Sequence, residues 1–254
     1  MKTFVDDTSI VKKIWSTTDI TLFIFAGAAA EFALNKQVDW LYFTGKLPAD
    51  PIGRLFSTVK YARYIIFKEE KQAIASINKI NMIHQQVESA RGFKITNEGY
   101  QDVLYMLIYY SMTAFELLER KLTPEEKDEM VNSFARIGRH MHIRDLADNY
   151  NDWEKHYEQQ LTRNLQKSSF TNNLFQQYKK HLGAFRYFLL LDIQRVLVPK
   201  HVNKLLGLGR PRLVPLLVPV YRLLRRFNIH KQLILMMVPR PYVKDVQAMD
   251  RPDF

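Results

Sequence analysis

Apolar residues recur along this chain at three- and four-residue intervals, and two-residue alternation is nearly absent. That spacing predicts helices and not strands. The cleanest stretch is about 70–90. There Ile74, Ile77, Ile80, His84 and Val87 form one stripe, while Lys71, Lys79, Gln86 and Glu88 lie off it. Arg91-Gly92 is a helix-ending pair. A second pattern, about 102–120, sets Val103, Met106, Tyr110, Thr113, Ala114 and Leu117 on one inner face. Asp50-Pro51 is a strong start signal, because Asp accepts from free N–H groups and Pro fits the first helical position. From there Arg54, Thr58, Tyr61 and Ile65 fall on one face. Thr123-Pro124-Glu125-Glu126 is a capping box. Further helices are predicted near 125–140, 151–166 and 171–198. The reading is an all-α, single-domain helical bundle over residues 1–254, with 1–15 and 240–254 as peripheral tails.

Two apolar stretches need separate treatment. Ile20–Ala30 (ITLFIFAGAAA) is well short of the ~20 residues of a spanning helix. Lys12 and Lys13 before it, and Ala28-Ala29-Ala30 at its end, leave a signal peptide open; a small-residue core helix is the favoured reading. The Ala/Gly run admits close approach of another backbone or of a flat ligand. Leu213–Phe227 and Leu233–Val238 are interrupted by Arg222, Arg225, Arg226 and Lys231 and broken by Pro215, Pro219 and Pro239. They read as short helical pieces, either packed on the body or lying on a lipid surface.

Composition narrows the chemistry. The chain has no cysteine, which excludes disulfides, thiolate nucleophiles, Fe–S clusters and thiolate-ligated haem. A bound metal must use oxygen ligands or one of seven histidines. The net charge of +11 fits nucleic acid, an anionic membrane surface or simple solubility. The basic residues form no aromatic-interleaved stripe, so no nucleic-acid partner is expected. Phosphate-loop, HExxH and GxSxG motifs are all missing from the sequence.

His84 is the most informative residue. A polar ring on an apolar stripe is costly without a partner. It is either a core histidine bonded to a neighbour or a metal ligand, most simply the axial ligand of a haem iron. Arg54 and Thr58 share a face one helical turn apart. Arg54 offers a charged fork suited to a carboxylate, including a haem propionate, and is otherwise a solvated or structural arginine. His140 and His142 do not share a helix face and read as surface or end-capping residues. His156, His181, His201 and His230 stand among charged residues and are expected to be solvated. Glu69-Glu70 and Glu125-Glu126 read as helix-terminal surface charge.

The run DPIGRLFST from Asp50 to Thr58, followed by Ile80-Asn81-Met82-Ile83-His84, resembles the rubber-oxygenase/MpaB-type oxygenase family. That family shows an R-x3-T pair and then, about one helix later, a helical histidine. Thr96–Glu116, Arg136–Leu146 and Leu197–Pro211 are similar to later family segments, so the likeness covers most of the chain. The resemblance implies an all-α fold holding haem b between helices. It implies His84 as the axial iron ligand, and Arg54 and Thr58 as the pair near the haem. Characterised members cleave C=C bonds of isoprenoid chains with O₂. Two departures stand out. Ser57 occupies the place where some rubber-cleaving members carry a distal lysine, and His142 stands where related sequences often have glycine.

The expected function is therefore a haem-b-dependent oxygenase acting with O₂ on a hydrophobic, unsaturated or isoprenoid-like small molecule. Arg54 and Thr58 are its candidate catalytic residues, and His84, Arg54 and Thr58 its candidate haem contacts. The expected location is cytoplasmic, with peripheral contact to an anionic membrane. The alternatives are a non-catalytic haem- or lipid-binding helical protein and a peripheral membrane module without cofactor.

Overall fold

The computed structural model describes residues 3–249, and among them the chain is helical with no strand beyond two isolated bridges. In chain order the α-helices are α1 (Ile10–Ser16), α2 (Thr18–Phe32), α3 (Lys46–Ala49), α4 (Pro51–Phe67), α5 (Glu70–Arg91), α6 (Asn97–Leu118) and α7 (Pro124–His140). There follow α8 (Tyr150–Asn164), α9 (Ser169–Leu197), α10 (Lys200–Leu206), α11 (Val214–Arg226), α12 (His230–Met237) and α13 (Val243–Met249). A 3-10 stretch, Lys36–Thr44, joins α2 to α3. The all-α, single-bundle expectation matches this architecture.

α2 and α6 form the axis of the bundle, and the other long helices pack around them. Both are apolar around most of their circumference, as a helix enclosed on all sides must be. The Ala/Gly run of α2 is spent on this contact. A Cβ added at Gly27 would lie 2.3 Å from Cδ1 of Tyr110, so only glycine lets α6 come this close. α6 begins at Asn97, five residues before its predicted start. Thr96 caps it by accepting from the N–H of Gly99 at 3.0 Å. α9 bends at Gly183, whose φ of 75° lies in the left-handed region.

The terminal segments do not behave as tails. Phe4, Val5, Ile10, Val11, Ile14 and Trp15 are buried in the main core, as is Met249 at the other end, where Tyr242 and Val246 are buried too. Arg63 on α4, itself buried, donates to the carbonyls of Trp15 and Met249 and so ties both ends to one helix. Helices as short as α1 and α13 do not persist alone in water, and packing holds them. Residues 1–2 and 250–254 of those expected tails lie outside the described residues.

Candidate functional site

Asp50 sets the register of α4. Its carboxylate accepts from the N–H of Gly53 at 2.8 Å and from the hydroxyl of Tyr242 at 2.7 Å. This puts Arg54 and Thr58 on one exposed face of α4, as their spacing predicts. The Arg54 guanidinium makes no hydrogen bond or ion pair among the described residues. The Thr58 hydroxyl donates back to the Arg54 carbonyl at 3.2 Å and so belongs to its own helix. Ser57 does the same to Gly53 at 3.0 Å.

α5 runs back along α4 and carries His84 half-buried. The apolar stripe of α5 is deepest at Ala73 and Ile77 and shallower at the His84 end. The Tyr100 ring, from the first turns of α6, sits 5.2 Å from the imidazole at 52°. Tyr100 is held there by Glu88, one turn after His84, which accepts from its hydroxyl at 3.3 Å and from the N–H of Ile95 at 2.8 Å. Nδ1 of His84 is buried and has no hydrogen-bond partner among the described residues. Burial pushes the His84 pKa below the ordinary imidazole value; Glu88 opposes the shift, and the Arg54 charge adds to it. The imidazole is therefore neutral at neutral pH, the form that ligates a metal. That electrostatic reach also shows α4 and α5 bringing Arg54 and His84 into one neighbourhood.

Arg91 was legible in the sequence only as the end of a helix. It lies two turns beyond His84, its guanidinium 4.9 Å from the Trp40 ring and 5.8 Å from the Phe93 ring. Arg91 Nη1 and Trp40 Nε1 are also buried without hydrogen-bond partners among the described residues. An unmet buried polar atom is costly, and two of them, Nδ1 of His84 and Nη1 of Arg91, lie on this one helix. The seven-residue spacing of His84 and Arg91 is the signal that sequence reasoning passed over.

A second polar centre lies in the core. Glu31 of α2 accepts from the Tyr157 hydroxyl of α8 at 2.6 Å. Burial drives its pKa up to about 8, against the hydrogen bonds it receives and helped by the charge of Asp102. Asp102 accepts from Asn35 and Asn164, each at 2.9 Å, and burial raises it to about 6. Sequence pattern gave no sign of either carboxyl's burial.

The histidines outside this neighbourhood differ in part from expectation. His140 is the last residue of α7 and His142 lies two residues beyond it, and no cluster of three or more metal-ligating side chains occurs among the described residues. His142 has φ 62°, the left-handed region that favours glycine. That explains why glycine suits this place. His230, expected to be solvated, is buried at the start of α12, edge-on to Tyr221 with ring centroids 6.2 Å apart. α12 folds back on α11 and encloses it.

Two clefts of about 630 Å³ each lie elsewhere. One is bounded by the end of α6 and the arginines of α11, the other by α6, α8 and the start of α10. Neither is lined by a residue of α4 or α5.

The α4–α5 hairpin thus carries His84, Arg54 and Arg91 on an all-α bundle. Comparison with known families matches residues 15–228 to the catalytic domain described as ER-bound oxygenase mpaB/B'/rubber oxygenase. The chain belongs to this family. It is thus an oxygenase-type oxidoreductase, with O₂ and a small molecule as its substrates at that level of description. No curated protein and no solved structure matches it. No helix among the described residues is long and apolar enough to cross a membrane.

Proposed function

We propose that this protein is a haem-b-dependent oxygenase acting on a hydrophobic, unsaturated or isoprenoid-like substrate, with His84 as the axial iron ligand. The observation that supports the proposal is the half-buried imidazole of His84, whose Nδ1 is buried without a hydrogen-bond partner among the described residues, inside the family's catalytic domain. The donor set fits the group. One histidine cannot hold a bare metal ion, but it suffices for an iron whose remaining protein-independent ligands come from a porphyrin. Haem b, when bound, supplies the redox chemistry with O₂.

The chain's own residues would do the rest. His84 binds through its neutral ring. Arg54, free at the surface, offers a fork to one propionate, and Arg91, with an unmet N–H, offers a second. Glu88 fixes Tyr100 against the imidazole and so limits its rotation. Thr58 donates its hydroxyl to the Arg54 carbonyl and so stays within its own helix. The reading includes a cytoplasmic protein in peripheral contact with an anionic membrane, where an apolar substrate partitions.

The test is an absorption spectrum of protein purified with haem supplied. A Soret band that shifts or vanishes in His84→Ala is the expected result. No Soret band, or one unchanged in the variant, overturns the proposal.

A further inference from the structure

α11 is amphipathic in an inverted sense. Arg222 and Arg225 turn toward the protein, and most of its apolar residues face solvent. Arg222 donates to the carbonyl of Leu117 at 2.6 Å and Arg225 to that of Leu118 at 3.0 Å, at the C-terminal end of α6. Those carbonyls carry the negative end of the helix dipole and have no partner within α6. Arg225 also pairs with Asp19 and Glu119, each at 2.7 Å, and Tyr221 donates to Asp19 at 3.0 Å. The N-terminal end is held as firmly: Asp192 of α9 accepts from the N–H groups of Arg212, Leu213 and Val214 at 2.7–2.8 Å.

The helix thus cannot roll its apolar face inward. Leu216 is 72% exposed, Val220 and Leu223 each 55%, and Phe227 just beyond it 64%. Their spacing puts them on one stripe. A contiguous apolar stripe left in water marks an interaction surface.

Charge identifies the partner. Residues 193–244 contain eleven Lys and Arg and no Asp or Glu, so this segment accounts for the whole +11 of the chain. Exposed Arg210, Arg212, Arg226 and Lys231 make no ion pair among the described residues. A second copy of the chain docked through the same segment would meet it with the same charge and be repelled. An anionic bilayer offers acyl chains to the stripe and counter-charge to the flanking cations.

We infer that α11 docks this protein on the surface of an anionic lipid bilayer, lying in the plane of the interface. The inference deepens the proposed function by naming the surface that meets the apolar substrate's host phase. It rests on that reading for this link alone.

The experiment is co-sedimentation of the full chain with phosphatidylcholine–phosphatidylserine vesicles and with phosphatidylcholine vesicles. Binding to the anionic vesicles, weakened by salt, is expected. A Leu216→Glu/Val220→Glu/Leu223→Glu variant is expected to partition about tenfold less or weaker still, with helical circular dichroism unchanged. Wild-type protein left in the supernatant overturns the inference, as does equal binding by the variant. Concentration-dependent dimers without vesicle binding also overturn it, in favour of a second copy. Because the chain has no cysteine, Val220→Cys carries a unique environment-sensitive label should the triple variant fail to fold. Its emission is expected to shift to the blue on anionic vesicles, and unchanged emission overturns the inference. None of these readouts needs haem, so they fail or succeed independently of the Soret test.

Discussion

The hydroxyl of Tyr157 donates to Glu31 Oε2 at 2.6 Å in the centre of the bundle, joining α8 to α2. With its pKa raised to about 8, Glu31 is a neutral acid at pH 7. The folded state then holds a proton that the unfolded chain releases near pH 4.5. The stabilisation is complete below the unfolded value and falls away as pH rises through the folded one. Asp102, raised to about 6, acts in the same direction at lower pH. Stability is expected to fall by on the order of a few kcal/mol between pH 5 and 8, and the melting temperature to fall with it. Glu31→Gln keeps an acceptor for Tyr157 and should flatten the upper part of that profile. A wild-type melting temperature constant over this range counts against the buried neutral acid.

Arg91 supplies a test of the haem neighbourhood apart from His84. Arg91→Ala and Arg54→Ala are each expected to weaken haem retention about tenfold, with the Soret position kept, because a propionate partner is lost and the iron ligand is not. Haem titration of the purified variants reads this directly. Thr58→Val, whose lost bond lies within α4, should leave the affinity unchanged.

His142 pays for its left-handed backbone with steric strain. The N–H of Ile143 reaches the carbonyl of Gly138 at 3.0 Å, and this closure holds φ at 62°. His142→Gly should stabilise the protein by about 0.5–1 kcal/mol, the relief of strain outweighing glycine's larger entropy in the unfolded chain. Denaturant midpoints measure it, and a lower midpoint in the variant contradicts the assignment.

Gly27 is the opposite case. Gly27→Ala sets a methyl against the Tyr110 ring and should cost about 2 kcal/mol despite alanine's better helix propensity. A gain in thermal stability from this change would show that α2 and α6 are not packed as described.

Asp192 is fully buried. Burial raises its pKa, but the three backbone N–H groups and Arg195 outweigh that and hold the carboxyl below its ordinary value. Asp192→Ala strands those donors and should loosen α11, costing about 2 kcal/mol or more of stability. Faster amide exchange at Arg212, Leu213 and Val214 is the expected signature, and unchanged protection there would refute the clamp.

The helix sequence of this protein is written in its local pattern. Asp50-Pro51, the capping box at Thr123 and the stripe through Ile77 each specify a helix without reference to the rest of the chain, because caps and amphipathic spacing are properties of neighbouring residues. The family, too, is legible in the R-x3-T run and the helical histidine. What α5 does with its stripe is not. Burial is decided by neighbouring helices, so His84 is half-exposed where its stripe alone places it inside, and Arg91 becomes its companion only once Trp40 and Phe93 have folded over it. The same holds for the termini and for α11. Composition shows apolar residues and arginines mixed along one segment, but only the carbonyls at the end of α6 and the carboxylates of Asp19 and Asp192 decide which of them faces water. Those groups lie far away in sequence, and long-range placement of charge is what the chain can settle only by folding.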